Sequence, residues 1–530
     1  MQRVVVIGGG ATGSGILRDL AMRGIPAVLV EQGDLVHGTS SRYHGLLHSG
    51  GRYAVRDPES ARECAAENAI LRRIAPFAVE PCGGVFLQLR QDDPAYRAEW
   101  LAACRRAGVP VELLDLERLR REEPGISPDA VAAYRVPDAS VDGFRLISGN
   151  VAAAEALGAR TLTYRRVTGL LMDGARVAGV RLQSERTDAS EALEADLVIN
   201  AAGAWTGQIA AMAGIHLDLV ADRGVLLVYH GRLTSRVINR LRPPGNGDIF
   251  VPAGSVTLLG TTATPVESPD NLEIPADEVA SLLRLGAEML PAAATSRVLR
   301  AFAGVRPLFK AKGDGASTRD LPRTYQVIDH AGAHGVEGLV SIIGGKLTTY
   351  REMAEKTVDM AAGKLGVTAP CRTAAEPILP PPEPALVRSV QAFVGPAHAA
   401  ALAERHPAHL TAVVRELSAP KGSEILCECE QVTRGEVIAV ARSLGEPSLS
   451  DIRRRTRLGM GTCQGAFCGY RTALVLAEAG VADPAAAPGL MLEMQAERWH
   501  GVTAALPGPE LPGAELTYAL YAGLFGGSKR

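Results

Sequence analysis

No run of roughly eighteen uninterrupted apolar residues, the length that spans a bilayer, occurs in this 530-residue chain, although apolar residues make up 47% of it. A transmembrane helix is therefore not expected. Net charge is almost lacking too, at −2. A field that would gather nucleic acid is thereby excluded as a main function, and no nucleic-acid partner is expected. The N-terminus lacks a secretory signal: the apolar residues 4–7 run straight into a glycine-rich turn with no small-residue cleavage site. A cytoplasmic protein is expected, docked on a membrane only through partners. No internal repeat is found.

What remains is a composition suited to a large buried core and two or three domains. The eight cysteines divide into two groups. Cys64, Cys82, Cys104 and Cys371 are scattered; Cys427, Cys429, Cys463 and Cys468 cluster late in the chain. In a reducing compartment such a cluster points to metal or redox chemistry rather than disulfides.

The opening reads as strand, turn, helix, strand. Residues 3–7 are apolar, 8–13 form a turn, 14–23 carry a helical apolar stripe closed by Gly24, and 27–30 form a second strand ended by Glu31. Gly8, Gly10 and Gly13 make a G-x-G-x-x-G turn. The first permits the tight turn, the second lets backbone approach a pyrophosphate, and the third lets helix and sheet pack closely. The helix N-terminus then faces the phosphates. Glu31, about twenty residues on, is placed to accept ribose hydroxyls. The turn alone does not separate FAD from NAD. Thr39 and Ser40 after the second strand, Gly203 after another strand at 196–201, and Gly344 and Gly345 before a late helix suit the longer FAD molecule. That late helix would aim its positive end at the flavin ring.

Residues 37–53 read as a polar loop over a site, and parts of 215–307 as a substrate-facing sheet. Residues 370–384 hold six prolines and read as a semi-rigid, unpacked linker. A small helical region is expected after it. The basic run 453–457 reads first as a solvated helix face, with a docking patch for an acidic partner as the alternative.

The segments VVVIGGGATGSGILRDLAMRG, HGLLHSGGRYAV, VINAAGAWTG, AFAGVRPL and IIGGKLTTYR resemble the FAD-linked glycerol-3-phosphate dehydrogenases over residues 1 to about 366. Leu17 departs from the fingerprint, which has Gly or Ala there. The resemblance implies a substrate pocket of Arg52, Tyr53, Arg306, Arg323, Lys346 and Thr348. Arginine suits a phosphorylated substrate because its guanidinium pairs with two oxygens at once. Arg306 is expected at a strand end, Arg323 in a polar loop. Oxidising a secondary alcohol also requires a base, and His44 and His48 are the candidates. Aerobic members of the family have a pocket histidine in the region that reads Asp222-Arg223-Gly224-Val225-Leu226-Leu227 here, where none stands.

Cys427-x-Cys429 and Cys463-x₄-Cys468 suit a [2Fe–2S] cluster or zinc. Residues 424–480 resemble the helical [2Fe–2S] domain related to bacterioferritin-associated ferredoxin, which favours the cluster. The expected architecture is α/β and α+β. A Rossmann-like FAD-binding domain (parts 1–80, 150–214 and 325–366) interleaves with a substrate-binding sheet within 1–366. A linker and helical segment (367–423), the [2Fe–2S] domain (424–480) and a tail (481–530) follow. These parts, in this order, resemble the anaerobic members of the family. That implies oxidation of sn-glycerol 3-phosphate, with electrons passing from FAD to the [2Fe–2S] cluster. An iron–sulfur membrane-anchor subunit, together with a second flavin-type subunit, would carry them on to a menaquinone-type acceptor at the cytoplasmic face of the inner membrane. Two other readings remain at this stage: a flavin amine or hydroxy-acid oxidase with the same cysteine domain, whose carboxylate substrates also call for arginine, and a non-catalytic electron-transfer subunit.

Overall fold

The computed structural model describes residues 2–309, 321, 324–506, 511–524 and 526. Its first sheet has eight strands. Gln2–Ile7 lies at the centre, parallel to Ala27–Val30 on one side and to Ser190–Asn200 on the other. Leu339–Gly344 extends the parallel arrangement beyond Ser190–Asn200. These strands read as unbroken apolar runs because both faces are covered, and Val4, Val5 and Val6 are wholly buried.

One cover is the helix Ala11–Met22, which lies between the helices Gly143–Ala156 and Tyr350–Leu365. Gly15 makes that approach close: a Cβ there would fall 3.0 Å from Tyr350 and Ala354. Expected from residue 14, the helix begins three residues earlier, directly on the glycine turn.

The second sheet has nine strands. Its backbone is the long antiparallel pair Leu219–His230 and Val298–Phe309, in a register that sets Asp222 opposite Arg306 and Gly224 opposite Gly304. Alternate residues point to opposite faces. Val225, Leu227, Ala301 and Ala303 enter the core under the helix Ala276–Met289, which leaves Arg306, Gly304, Phe302 and Arg300 on the other face.

The C-terminal part departs from expectation in three ways. The proline segment is not loose: Arg18 donates to the carbonyls of Glu376 and Pro377, and Ile378 is buried in the first core. Proline removes donors, but the carbonyls and apolar side chains between still find partners in a groove. Residues after 481 are not merely a tail. The helix Ala487–Ala505 inserts Met491 and Met494 into the core of the cluster unit. Its Gly501 lies against the strand Val298–Phe309, where a Cβ would be 2.5 Å from the Ala301 carbonyl oxygen. Third, the basic run is not a solvated face. Arg453 pairs with Glu497, Arg454 and Arg455 with Asp34, and Arg457 with Asp142 and Glu430.

Between linker and cluster unit, the helices Pro384–Val394, Pro396–Arg405 and Leu410–Leu417 close on a core of their own around Val390, Leu402 and Val413.

Candidate active site

The glycine turn has a shape only glycine allows. Gly8 is at φ +112°, and a Cβ there would lie 2.5 Å from the Ala201 carbonyl oxygen. At Gly13 a Cβ would fall 1.9 Å from the carbonyl oxygen of Gly8. No side chain caps the following helix at Gly10. Ser40 instead reaches over from the next loop, its Oγ accepting from the Ala11 N–H at 3.1 Å. Glu31 is held at the mouth of the turn by the N–H groups of Gly9 (2.7 Å) and Gly33 (2.9 Å). Burial raises its pKa, and these N–H bonds oppose the rise. Thr39 donates to the Val305 carbonyl at 2.7 Å and so ties this loop to the second sheet.

Gly203 begins the short turn Gly203–Trp205 just past the strand that flanks Gly8. Gly344 and Gly345 are both left-handed, at φ +78° and +77°. They turn the chain from Leu339–Gly344 into the helical turn Leu347–Thr349 and the helix Tyr350–Leu365. A phosphate cradle that a Cβ would fill, an acidic group at the second strand and a late helix N-terminus together fit FAD.

Along the adjoining loop the candidate pocket residues form a row. His44 and His48 rings are 5.6 Å apart, His48 and Tyr53 5.2 Å, and Lys346 Nζ stands 5.1 Å from the Tyr53 ring. Thr348 Oγ1 accepts from the His48 N–H at 3.1 Å. Lys346 also donates to Ser60 at 2.9 Å and faces Glu63 at 3.7 Å. Arg52 approaches Asp248 at 3.4 Å. Arg306 lies inside its strand rather than at its end. It pairs with buried Asp222 at 2.8 Å and donates to Thr261 and to the Thr262 carbonyl. Arg323 lies outside the described residues.

Both histidines are neutral at pH 7. Burial pushes His44 down to about 3, with Arg52 and Arg306 adding to the effect. Burial takes His48 well below the ordinary value, helped by His44, Arg52 and Lys346. The Nδ1 of His44 accepts from the Leu46 N–H at 3.1 Å, so its neutral ring carries the proton on Nε2. Sequence reasoning missed Asp222, Asp248 and Glu63, the carboxylates that hold these cations. Asp222 and Arg306 are coupled only through strand register, which leaves no local signal.

The four clustered cysteines converge. They lie close enough to shift one another's acidity, Cys468 acting on both Cys427 and Cys463, and Cys463 on Cys429. Cys427 is pulled down to about 7 and Cys463 to about 5, each chiefly by Cys468, with backbone N–H groups of Gly459 and Gly465 contributing. The same contacts, from Cys427 and then Cys463, push Cys468 up. Gly461 packs on Cys429, where a Cβ would clash at 2.4 Å. Thiols that shift one another's acidity, with peptide N–H groups aimed at sulfur, suit an iron–sulfur cluster.

Residues 3–351 match the family model described as FAD dependent oxidoreductase, and residues 425–478 match the BFD-like [2Fe-2S] binding domain. Fold and site thus define a flavin-dependent oxidoreductase with a built-in [2Fe–2S] domain. Over 530 residues the chain is 43% identical to a subunit of the anaerobic glycerol-3-phosphate dehydrogenase of Escherichia coli K12, covering 99% of this chain and 96% of that one. It is 40% identical to the corresponding subunit from Haloferax volcanii, covering 98% and 90%. A glycerol-3-phosphate dehydrogenase from Bacillus halodurans complexed with FAD shares the fold, with a TM-score of 0.70 at 22% identity over 96% of each chain. The chain belongs to this family of anaerobic glycerol-3-phosphate dehydrogenase subunits.

Proposed function

We propose that this chain oxidises sn-glycerol 3-phosphate to dihydroxyacetone phosphate in the pocket between the glycine turn and the second sheet. The observation that carries the reading is the row from Arg306 through His44 and His48 to Tyr53 and Lys346, set beside an FAD cradle. Arg306, Lys346 and Arg52 supply the positive charge that a phosphate monoester requires, with Tyr53 and Thr348 completing the walls. Asp222 holds Arg306 in one orientation, so less freedom is lost when substrate binds.

His48 is the better base for the substrate hydroxyl. It is neutral at pH 7, and no hydrogen bond among the described residues fixes its ring. His44, protonated on Nε2, serves as a donor to the oxygen on which charge develops. When bound, FAD supplies the two-electron acceptor for the carbon-bound hydrogen, and the [2Fe–2S] cluster a one-electron carrier beyond it. Gly8, Gly10, Gly13, Glu31, Thr39, Ser40, Gly203, Gly344 and Gly345 would hold FAD; Cys427, Cys429, Cys463 and Cys468 would hold the cluster.

The reading extends to an assembly. The relatives are named as subunits of a larger enzyme, which supports further chains here: a second flavin-type chain and an iron–sulfur membrane anchor feeding a menaquinone-type acceptor. No helix among the described residues is long and apolar enough to cross a membrane, so attachment at the cytoplasmic face would come through those partners. The test is an anaerobic absorbance spectrum before and after glycerol 3-phosphate. Bleaching of the oxidised-flavin band is expected, and an unchanged band would overturn the substrate.

A further inference from the structure

A cavity of about 1120 Å³ lies apart from the Arg306 pocket, at the meeting of the flavin sheet, the second sheet and the cluster unit. The segment 39–45 divides the two. Gly304 packs on it so tightly that a Cβ would fall 2.3 Å from the Arg42 carbonyl oxygen. On the shared face of Val298–Phe309, Arg306 stands on the His44 side of that contact. Phe302 and Arg300 stand on the other and line the cavity. Met460 and Gln464, from the loop that carries Cys463, close the far wall.

Eight arginines line this space against four carboxylates. Three of the carboxylates are already engaged: Asp142 by Arg145 and Arg457, Glu80 by Arg232, and Glu497 by Arg453. Arg42 and Arg300 have no carboxylate in ion-pair contact among the described residues, and the Nε groups of Arg300 and Arg453 are buried with no hydrogen-bond acceptor. Burial lowers the pKa of Arg300 to about 10 and the neighbouring Arg453 adds to the fall, while Glu497, which also faces Arg42, opposes it only in part. Arg42 and Arg145 are lowered by burial as well. Withdrawing guanidinium groups from water without partners is costly unless something else neutralises them. Two guanidinium groups that share only the more distant Glu497, itself paired with Arg453, match the two charges of a phosphate monoester better than the single charge of a carboxylate. The remaining wall is apolar, with Phe302, Phe77, Val256 and Leu258, and the space is far larger than an inorganic ion requires.

We propose that this cavity is a second ligand site, separate from the substrate pocket, for a phosphorylated molecule of mononucleotide size. Its phosphate lies among Arg42, Arg300 and Arg453, and its planar part against Phe302. The site does not depend on the assignment of substrate.

The test is calorimetric titration of the holoenzyme with AMP and with riboflavin 5′-phosphate, and with their fragments adenosine, riboflavin and inorganic phosphate. At least one of the two nucleotides is expected to bind saturably and more tightly than either of its fragments. Arg300→Gln should weaken it by about 10- to 100-fold, the loss of a charge-assisted contact, and Arg42→Gln should do likewise. Without ligand, Arg300→Gln should melt no lower than the parent, because burial disfavours the Arg300 charge more than Glu497 supports it. Three results would overturn the proposal: neither nucleotide binding, affinity unchanged in both variants, or inorganic phosphate binding as tightly as the nucleotides. Flavin bleaching by glycerol 3-phosphate is read on the same preparations, so failure of the substrate reading shows separately.

Discussion

Asp34 holds Arg455 by two bonds, Oδ2 accepting from Nη1 at 2.7 Å and Oδ1 from Nη2 at 2.8 Å, and it takes a third from Arg454 at 3.2 Å. The carboxylate belongs to the loop after the second strand, the arginines to a helix of the cluster unit. Burial alone would raise the pKa of Asp34, but Arg455 outweighs it and the net shift is downward. The clamp therefore stays charged at neutral pH and fixes the cluster unit against the flavin sheet.

Asp34→Asn should cost about 3 kcal/mol, as expected when one partner of a buried ion pair is removed. Urea denaturation measures the loss. Anaerobic stopped-flow should show flavin reduction by substrate nearly unchanged and subsequent cluster reduction slowed.

Arg306→Ala should lower kcat/KM for glycerol 3-phosphate by about 100-fold or more, equivalent to about 3 kcal/mol of transition-state binding. FAD content should be unaffected, since Arg306 faces Asp222 and Thr261 rather than the glycine turn. Arg306→Lys should recover only part of the loss, because an ammonium cannot reproduce the planar fork. Steady-state kinetics with flavin quantified per chain decides it.

The two histidines should separate. His48→Gln removes the base and should lower kcat by roughly 100- to 10,000-fold. His44→Gln keeps a donor at that position and should cost less. Equal losses would assign the base role wrongly.

His44 also predicts an acid limit. In the fold it titrates at about 3, in an unfolded chain at about 6.5. Below that higher value the unfolded chain takes up the proton and the folded one does not. Its contribution is thus intact above about pH 6.5 and is lost as pH falls toward 3, at up to about 1.4 kcal/mol per pH unit. Melting curves from pH 7 to 5 should fall, and His44→Gln should flatten the slope.

Cys468→Ser removes the thiol that acts on both Cys427 and Cys463. Iron and acid-labile sulfide should drop well below two of each per chain, while the flavin spectrum and its bleaching by substrate persist. Metal analysis with electron paramagnetic resonance of the reduced protein checks both.

The amino-acid sequence by itself determined the parts whose chemistry is local. The turn of Gly8, Gly10 and Gly13, the carboxylate at Glu31 one strand–helix–strand unit on, and the paired spacings of the cysteines each require particular residue types at short, fixed separations. So they are legible without the fold. Tertiary structure alone decided the charges. Arg453 to Arg457 look like a solvated face until Asp34, Asp142 and Glu430 arrive from elsewhere in the chain. Arg306 looks like a strand-end residue until the antiparallel register sets Asp222 opposite it. The proline segment and the helix Ala487–Ala505 likewise declare their packing only when the surfaces they cover exist. An ion pair or a packed face needs two partners in space, and separations of tens to hundreds of residues carry no local sign of which two will meet.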